Sequence, residues 1–353
     1  MDRDFWMLSQ DEMTYRMAAI PQKLLSWYDA ANRSLPWRDM PTPYRVWISE
    51  IMLQQTRVQA ALPYFNRFVE VIPDVRALAE VPDDQLMKLW EGLGYYSRAR
   101  NLRRAAQIIL REFDGVIPDT AEELKRLPGI GEYTAGAIAS IAYQRRSAAV
   151  DGNVMRTIAR VFRNEADILS AATKRQYRAL LMEMMPDRPG DFNQALMELG
   201  ALVCVPNGEP NCGACPIAAL CIAHQEGCET ALPVKAPKAP RRIEDQELTL
   251  IICKDAILLK KRPKSGVLAG LWAFYEMPDP EQAGMHVLSE KELPHARHIF
   301  THIEWRLRAR AIYVAERRPA PDGVWATLSE IQNRYAIPSA YRAYTKLLPE
   351  LLG

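Results

Sequence analysis

No apolar run in the 353-residue chain reaches membrane-spanning length, so no bilayer-crossing helix and no membrane partner are expected. The opening residues, Met1-Asp2-Arg3-Asp4, are acidic and lack an apolar core, so neither a secretory signal nor a transit peptide is expected. A charge excess is missing too. The formal net charge is +2, with 26 basic against 28 acidic side chains through residue 228 and 19 against 15 beyond it. Any polyanionic partner must therefore be held by local patches and backbone donors rather than by bulk charge. There is no internal repeat, and the only biased tract is a short tether. Six cysteines without a secretory signal do not make a disulfide framework. What remains, 48% hydrophobic and 25% charged, is ordinary globular composition in a chain long enough for two or three domains.

The tether is Pro233-Val234-Lys235-Ala236-Pro237-Lys238-Ala239-Pro240-Arg241-Arg242, whose three prolines and four cations favour an extended linker over 229–243. Before it, apolar residues recur at helical spacing through 44–62, 84–90, 98–111, 133–143, 154–163 and 174–184, which predicts an all-α domain over 15–228. After it the period changes to two. Leu248, Leu250 and Ile252 alternate with other residues, and Trp305, Leu307, Ala309 and Ala311 alternate with Arg306, Arg308 and Arg310. This predicts strands, a closing helix over 339–351 and an α+β domain over 244–353.

Four features carry chemistry. Cys204, Cys212, Cys215 and Cys221 fall within eighteen residues with a single C-x2-C knuckle. Four thiolates in one short loop suit an iron–sulfur cube better than zinc, although zinc with His224 as a substitute ligand remains open. Leu127-Pro128-Gly129-Ile130-Gly131 lies between two helical segments. Its glycines permit a tight turn whose N–H groups, with the following helix N-terminus, form an anion nest. Asp151, in Val150-Asp151-Gly152-Asn153-Val154, could cap a helix or do chemistry. Glu50 has Val46, Trp47, Leu53 and Gln54 as helical neighbours. Unless that apolar face turns elsewhere and leaves it at the surface, a carboxylate there points into a pocket or is buried, and either placement would raise its pKa and keep it protonated nearer neutrality, as a general acid requires.

Taken together these strings resemble MutY-type adenine DNA glycosylases, a helix-hairpin-helix, iron–sulfur family. The likeness runs through Leu35–Arg38, Pro43–Thr56, Gly92–Leu102, the hairpin, Val150–Val154, Phe192–Gly200 and the cysteine cluster, and covers roughly residues 20–315. It implies a DNA-repair hydrolase that removes adenine mispaired with 8-oxoguanine or guanine in double-stranded DNA. Glu50 matches the acid that protonates adenine at N7, and Asp151 matches the carboxylate that stabilises the oxocarbenium-like sugar, as in a retaining glycosidase. Asn153 matches the residue that orients Asp151, and Arg38 a contact to the expelled base. Leu53, Gln54, Gln55 and Tyr95 match the residues at the opened mispair. Gly129 and Gly131 match the phosphate-holding hairpin, placed at about 124–140. The four cysteines match the ligands of a 4Fe-4S cluster in a loop over 204–221. Extruding the base explains how a stacked duplex gives access to N7. A monomeric, cytoplasmic, nucleoid-associated protein of bacterial type is expected.

Three departures matter. Where endonuclease III-like relatives carry a Schiff-base lysine, this chain has Tyr133, so base excision without efficient strand cleavage is expected, with Tyr133 either hydrogen-bonded to Asp151 or a packing residue. The first cysteine interval is seven residues instead of six, and Pro206, Gly208 and Pro210 are expected to loop the extra residue out. The C-terminal region resembles a Nudix-like domain through Leu258–Pro263 and Gly270–Phe274, but residues 276–292 lack the carboxylate run of a hydrolase. Recognition of 8-oxoguanine is expected instead, with Phe300-Thr301-His302 in place of the family's Phe-Ser-His. The alternatives are an endonuclease III-like glycosylase/lyase acting on oxidised pyrimidines, a catalytically silent DNA-damage binder and an electron-transfer protein. Tyr133 and the second domain argue against the first, the Glu50–Asp151 pair against the second, and the lack of a redox-partner surface against the last.

Overall fold

The computed structural model describes residue 6 and residues 8–237, 240–275, 280–281, 284–321 and 323–353. Lys238 and Ala239 of the tether, and residues 276–279 and 282–283 of the stretch read for Nudix acids, lie outside the described residues. No helix among the described residues is long and apolar enough to cross a membrane. The chain forms two compact units. One holds the residues up to Glu80 and Asn101–Pro237, and the other holds Val81–Arg100 and Lys238–Gly353.

The first unit is helical. Helix Gln10–Ala31 is capped by Ser9, whose Oγ accepts the Glu12 N–H at 3.2 Å. Its face of Ile20, Leu24 and Tyr28 packs into a core with Phe162, Leu180 and Phe192. Trp6 stacks on Tyr177 at 5.2 Å and meets Phe162 edge-on at 5.3 Å, so the ordered core starts well before residue 15. The helix expected over 44–62 is two, Pro43–Leu53 and Val58–Val71. Gln55 is left-handed at φ 59°, and the Thr56 N–H returns to the Leu53 carbonyl at 3.2 Å. Apolar spacing is blind to a single left-handed residue, so the break was not legible from periodicity. Helix Pro43–Leu53 packs against Glu132–Tyr143, and Gly152–Val161 packs against Pro189–Leu202. These four helices carry most of the candidate chemistry.

The expected linker starts too early. Leu232 is buried in the helical core, and the Val234 carbonyl accepts the Ile168 N–H at 3.2 Å. An apolar residue inside a Pro-rich run thus ties residues 229–237 to the first unit.

The second unit is a mixed six-stranded sheet: β1 (Arg242–Cys253), β2 (Ala256–Lys261), β3 (Trp272–Phe274), β4 (Val287–Ile299), β5 (Ile303–Val314) and β6 (Gly323–Thr327). The order is β3-β2-β1-β5-β4, with β6 also pairing β2. Among the described residues, β1 and β5 run parallel and the other strand pairs antiparallel. The alternation in β5 holds, with Trp305, Leu307, Ala309 and Ala311 inside beside Tyr341 and Tyr344. On the other face Arg306 and Arg308 stand in register with Asp245 and Glu247 of β1, a mixed-charge solvated surface. The closing helix is three short pieces, Ser339–Tyr341, Arg342–Thr345 and Leu348–Leu351. Pro349 and the tight turns around residues 341 and 347 interrupt it.

Residues 81–100 were expected in the helical domain but belong to this second unit. Lys88 Nζ donates to the Ile331 carbonyl at 2.8 Å, and Glu91 accepts the Ile337 N–H at 2.8 Å. Asp84 pairs with Lys261 at 2.7 Å and accepts from Trp272 Nε1 at 3.3 Å. These bonds join residues some 180 to 250 positions apart, which no local pattern reveals.

Candidate active site and cysteine centre

Helix Pro43–Leu53 is buried at Tyr44 and from Val46 through Met52, and Glu50 lies among these residues at 5% exposure. Burial pushes its carboxyl up to about 7, and the negative charge of Asp151 adds to the effect. A hydrogen bond from Tyr133 and the charge of Arg38 pull the other way. The Tyr133 O–H donates to Glu50 Oε2 at 2.6 Å. Tyr133 therefore partners Glu50, not Asp151 as expected, because it sits in the first turn of Glu132–Tyr143, the helix packed against that of Glu50.

Asp151 is both things the sequence allowed. It caps helix Gly152–Val161, with Oδ1 accepting the Val154 N–H at 2.8 Å, and its Oδ2 accepts from Asn153 Nδ2 at 2.9 Å. Burial raises its pKa, opposed by these donors and by the charge of Arg156. Arg156 Nη2 donates to Asn153 Oδ1 at 3.0 Å and to the Gly200 carbonyl at 2.7 Å, while its Nε donates to the Cys204 carbonyl at 2.8 Å. A Cβ at Gly200 would stand 2.6 Å from Asn153 Cβ, so only glycine lets these two helices close at this point. One helix face thus links Asp151 through Asn153 and Arg156 to the backbone of a cysteine in the cluster loop.

Arg38 is held before any ligand arrives. Its Nη2 meets Glu198 Oε2 at 2.8 Å, and its Nε meets Gln194 at 3.2 Å. Glu198, 1% exposed, also takes both donors of Arg33, at 2.5 and 2.7 Å. Burial acts to raise its pKa, yet the two guanidinium groups prevail and hold it at about 2. Glu198 is the residue that sequence reasoning missed. It lies in the Phe192–Gly200 string, but only its burial between two arginines singles it out.

The hairpin follows helix Ala121–Leu124 and leads into Glu132–Tyr143, close to the expected span. Gly129 has φ 81°, and a Cβ there would stand 2.8 Å from Asn101 Cβ. Gly131 is the N-cap of the second helix, and its backbone has open space around it. Leu53 ends its helix, Gln54 Nε2 donates to Thr134 at 3.3 Å, and Gln55 is exposed in its left-handed turn.

In the second unit, Phe300-Thr301-His302 is the turn between β4 and β5. Phe300 packs edge-on against Trp305 at 4.9 Å, while Thr301 and His302 are exposed. Tyr95 belongs to this unit, and its hydroxyl lies 2.7 Å from Thr301 Oγ1.

Cys204, Cys212, Cys215 and Cys221 line one cavity, together with Thr157 and Arg160. Between the first two, Gly208 at φ 76° and a bond from the Asn211 N–H to the Val203 carbonyl at 3.0 Å close a loop that absorbs the seventh residue. Burial pushes the thiols up, Cys221 to about 12 and Cys212 to about 11. Arg160 Nη1 points at Cys204 Sγ, 3.3 Å away. The buried hydroxyl of Thr157 faces the cavity without a protein partner. Four thiols, a guanidinium and a spare hydroxyl donor around one space fit a thiolate-bound metal cluster. Cys212, His224 and Glu229 also bring their ligand atoms within 4.8 Å of one another.

A model described as HhH-GPD superfamily base excision DNA repair protein matches residues 48–187, and a NUDIX domain model matches residues 248–347. A solved thermostable thymine-DNA glycosylase is similar, with TM-score 0.54 and 25% identity over 60% of this chain and 98% of its own. A trapped endonuclease III–DNA covalent intermediate shares the fold at TM-score 0.52 and 22% identity, over 63% of this chain and 99% of that one. Fold and family matches define a helix-hairpin-helix glycosylase fold joined to a Nudix-like domain.

Full-length relatives narrow the class. Adenine DNA glycosylase of Rattus norvegicus is 35% identical over 93% of this chain and 78% of its own length, and that of Homo sapiens 34% over 93% and 74%. The enzyme of Buchnera aphidicola subsp. Baizongia pistaciae is 35% identical over 72% of each. The chain belongs to the adenine DNA glycosylase family.

Proposed function

We propose that the protein excises adenine from A:8-oxoguanine and A:G mispairs in duplex DNA by hydrolysing the N-glycosidic bond, without strand cleavage. The observation that carries this reading is the Glu50–Tyr133–Asp151 constellation. One carboxyl is buried with its pKa raised to about 7, and a second lies close enough to act on it electrostatically while holding three hydrogen-bond donors of its own.

Glu50, protonated near neutrality, gives its proton to adenine N7. The C1′–N9 bond breaks and its electron pair leaves with the base. Positive charge on the sugar is stabilised by the Asp151 carboxylate, which Asn153 and the helix N-terminus keep oriented. Water then adds at C1′ and its proton returns to the enzyme. Tyr133 donates to Glu50 Oε2 and leaves Oε1 to carry the transferable proton. Arg38, fixed by Glu198 and Gln194, contacts the expelled base. Gln55 fills the gap at the mispair, and the Gly129–Gly131 turn holds the backbone phosphate. Because Tyr133 is no amine, no Schiff base forms and the strand stays intact. The protein acts as a monomer.

Cys204, Cys212, Cys215 and Cys221 would hold a 4Fe-4S cluster, which would supply a rigid cross-link between the 204–221 loop and the helical unit. Arg160 and Thr157 would donate hydrogen bonds to it.

Incubation with a duplex holding adenine opposite 8-oxoguanine tests the reading. Free adenine and an abasic site, cut only after hot alkali, are expected. Direct strand scission, or no adenine release opposite either purine, contradicts it.

A further inference from the structure

Tyr133 has two neighbours at its hydroxyl, and the reaction scheme uses one of them. Its Oη lies 2.6 Å from Glu50 Oε2 and 3.5 Å from Met197 Sδ. A phenol carries one proton, a thioether is a weak acceptor and a carboxyl oxygen a good one, so the proton goes to Glu50. Met197 is only half-buried, although Leu196 and Glu198 on either side of it are buried. On helix Pro189–Leu202 it lies one turn from Gln194, the half-buried partner of Arg38. A methionine with surface open to solvent thus touches the Glu50–Tyr133 pair from the helix face that also holds the proposed base contact.

That sulfur is chemically vulnerable. Hydrogen peroxide converts an accessible thioether to a sulfoxide. A sulfur lone pair attacks one peroxide oxygen and the O–O bond breaks. The other oxygen takes up the proton of the transferred hydroxyl and leaves as water, so sulfur loses two electrons and the peroxide gains them. The new S=O oxygen is a strong acceptor, carried by an atom already 3.5 Å from the phenol oxygen. Glu50 in its proton-donating form offers Tyr133 only a neutral carbonyl oxygen, so the sulfoxide competes well for the single phenol proton. Without that bond nothing marks Oε2 as the acceptor and Oε1 as the carrier of the transferable proton, and the carboxyl is free to turn.

We propose that Met197 is an oxidation site that reversibly switches excision off by drawing the Tyr133 hydroxyl away from Glu50. The proposal rests on the proposed function, because it acts on the proton that Glu50 delivers. A peroxide is the oxidant, and a dithiol reverses the step: two thiols become a disulfide, the sulfoxide oxygen leaves as water and the thioether returns. Tyr133 is in this respect a positioning residue for the acid, and the oxidation state of Met197 decides which acceptor it serves.

The test compares the cluster-loaded full chain with Met197→Leu, a volume-conserving change, before and after hydrogen peroxide at a dose that leaves iron content unchanged. Peptide mass mapping follows oxygen uptake at residue 197, with exposed Met40 as the internal measure of dose in both proteins. Single-turnover adenine release opposite 8-oxoguanine and affinity for the same mispair are each read against the same protein untreated. In wild type, oxidation of Met197 should lower release about tenfold or more while affinity holds, and methionine sulfoxide reductases of both epimer specificities with a dithiol should restore it. The Tyr133 bond lowers the Glu50 pKa, so its loss should also move the falling limb of the pH–rate profile to higher pH. Met197→Leu should keep its own untreated rate through the same dose, with Met197→Ile in its place should the leucine variant not fold. The proposal is overturned by an equal fractional loss in the variant, by a full rate in wild type oxidised at 197, or by an unmoved limb. It is overturned too by an unoxidised Met197 beside fully converted Met40. A wild-type protein that releases no adenine before peroxide defeats the proposed function instead, so the two failures are distinct.

Discussion

At the scale of a single residue, Glu50 links the proposed reaction to stability through one proton. Burial raises its carboxyl from 4.5 to about 7, so the proton-donating form falls away as pH climbs through 7. The single-turnover excision rate should decline there, approaching a tenfold loss per pH unit. The folded state holds this proton more tightly than the unfolded chain. The favourable contribution is complete below pH 4.5 and lost as pH rises to about 7. Glu50→Gln cannot ionise, so above pH 7 it should be more stable than wild type by up to ~3 kcal/mol, with the gain gone at acid pH. Denaturant melts of both proteins at several pH values check this. Equal differences at all pH values would mean that the fold does not raise the Glu50 pKa.

At the scale of an element, helix Gly152–Val161 does several things at once. Its cap is Asp151, its first turn carries Asn153, its second Arg156, and its third Arg160 facing the cysteine cavity. Removing the Arg156 guanidinium leaves Asn153 Oδ1 and the Gly200 and Cys204 carbonyls short of a donor, at a cost of about 2–4 kcal/mol. Arg156→Leu should therefore lose excision by tenfold or more and hold less iron per protein, read by metal analysis and visible absorbance. Full excision with full iron would make the chain from Asp151 to Cys204 idle. The hairpin gives a simpler case. Gly129→Ala forces a Cβ onto Asn101 at a left-handed residue, which should cost about 1–2 kcal/mol and weaken DNA binding in a gel-shift titration. Unchanged affinity would remove the turn from the binding surface.

At the scale of the whole molecule, what the sequence revealed and what it hid divide along contact distance. Glu50, Asp151, the Gly129–Gly131 turn and the cysteines stand in short strings whose residue types are dictated locally, by a cap, a left-handed turn or a loop of clustered thiols. The period-two pattern of β5 likewise reports its own two faces. By contrast, the partner of Tyr133, the burial of Glu198 between Arg33 and Arg38, and the membership of residues 81–100 in the second unit come from bonds between residues 83 to 246 positions apart. Nothing in a window of sequence encodes these. Net charge at this scale is only +2, so DNA must be held by discrete phosphate contacts. The observed binding constant should still fall steeply and log-linearly with salt, with a slope that counts those contacts. A salt-independent affinity would contradict a backbone-held duplex.

The central claim, that a protonated Glu50 drives cleavage of the glycosidic bond beside an ionised Asp151, is tested most directly by Glu50→Gln on a duplex with adenine opposite 8-oxoguanine. Binding and single-turnover adenine release are measured on the same preparation. The account predicts near-normal affinity for the mispair and loss of excision by two or more orders of magnitude, the range of general acid catalysis. Adenine release at the wild-type rate by that variant would contradict it.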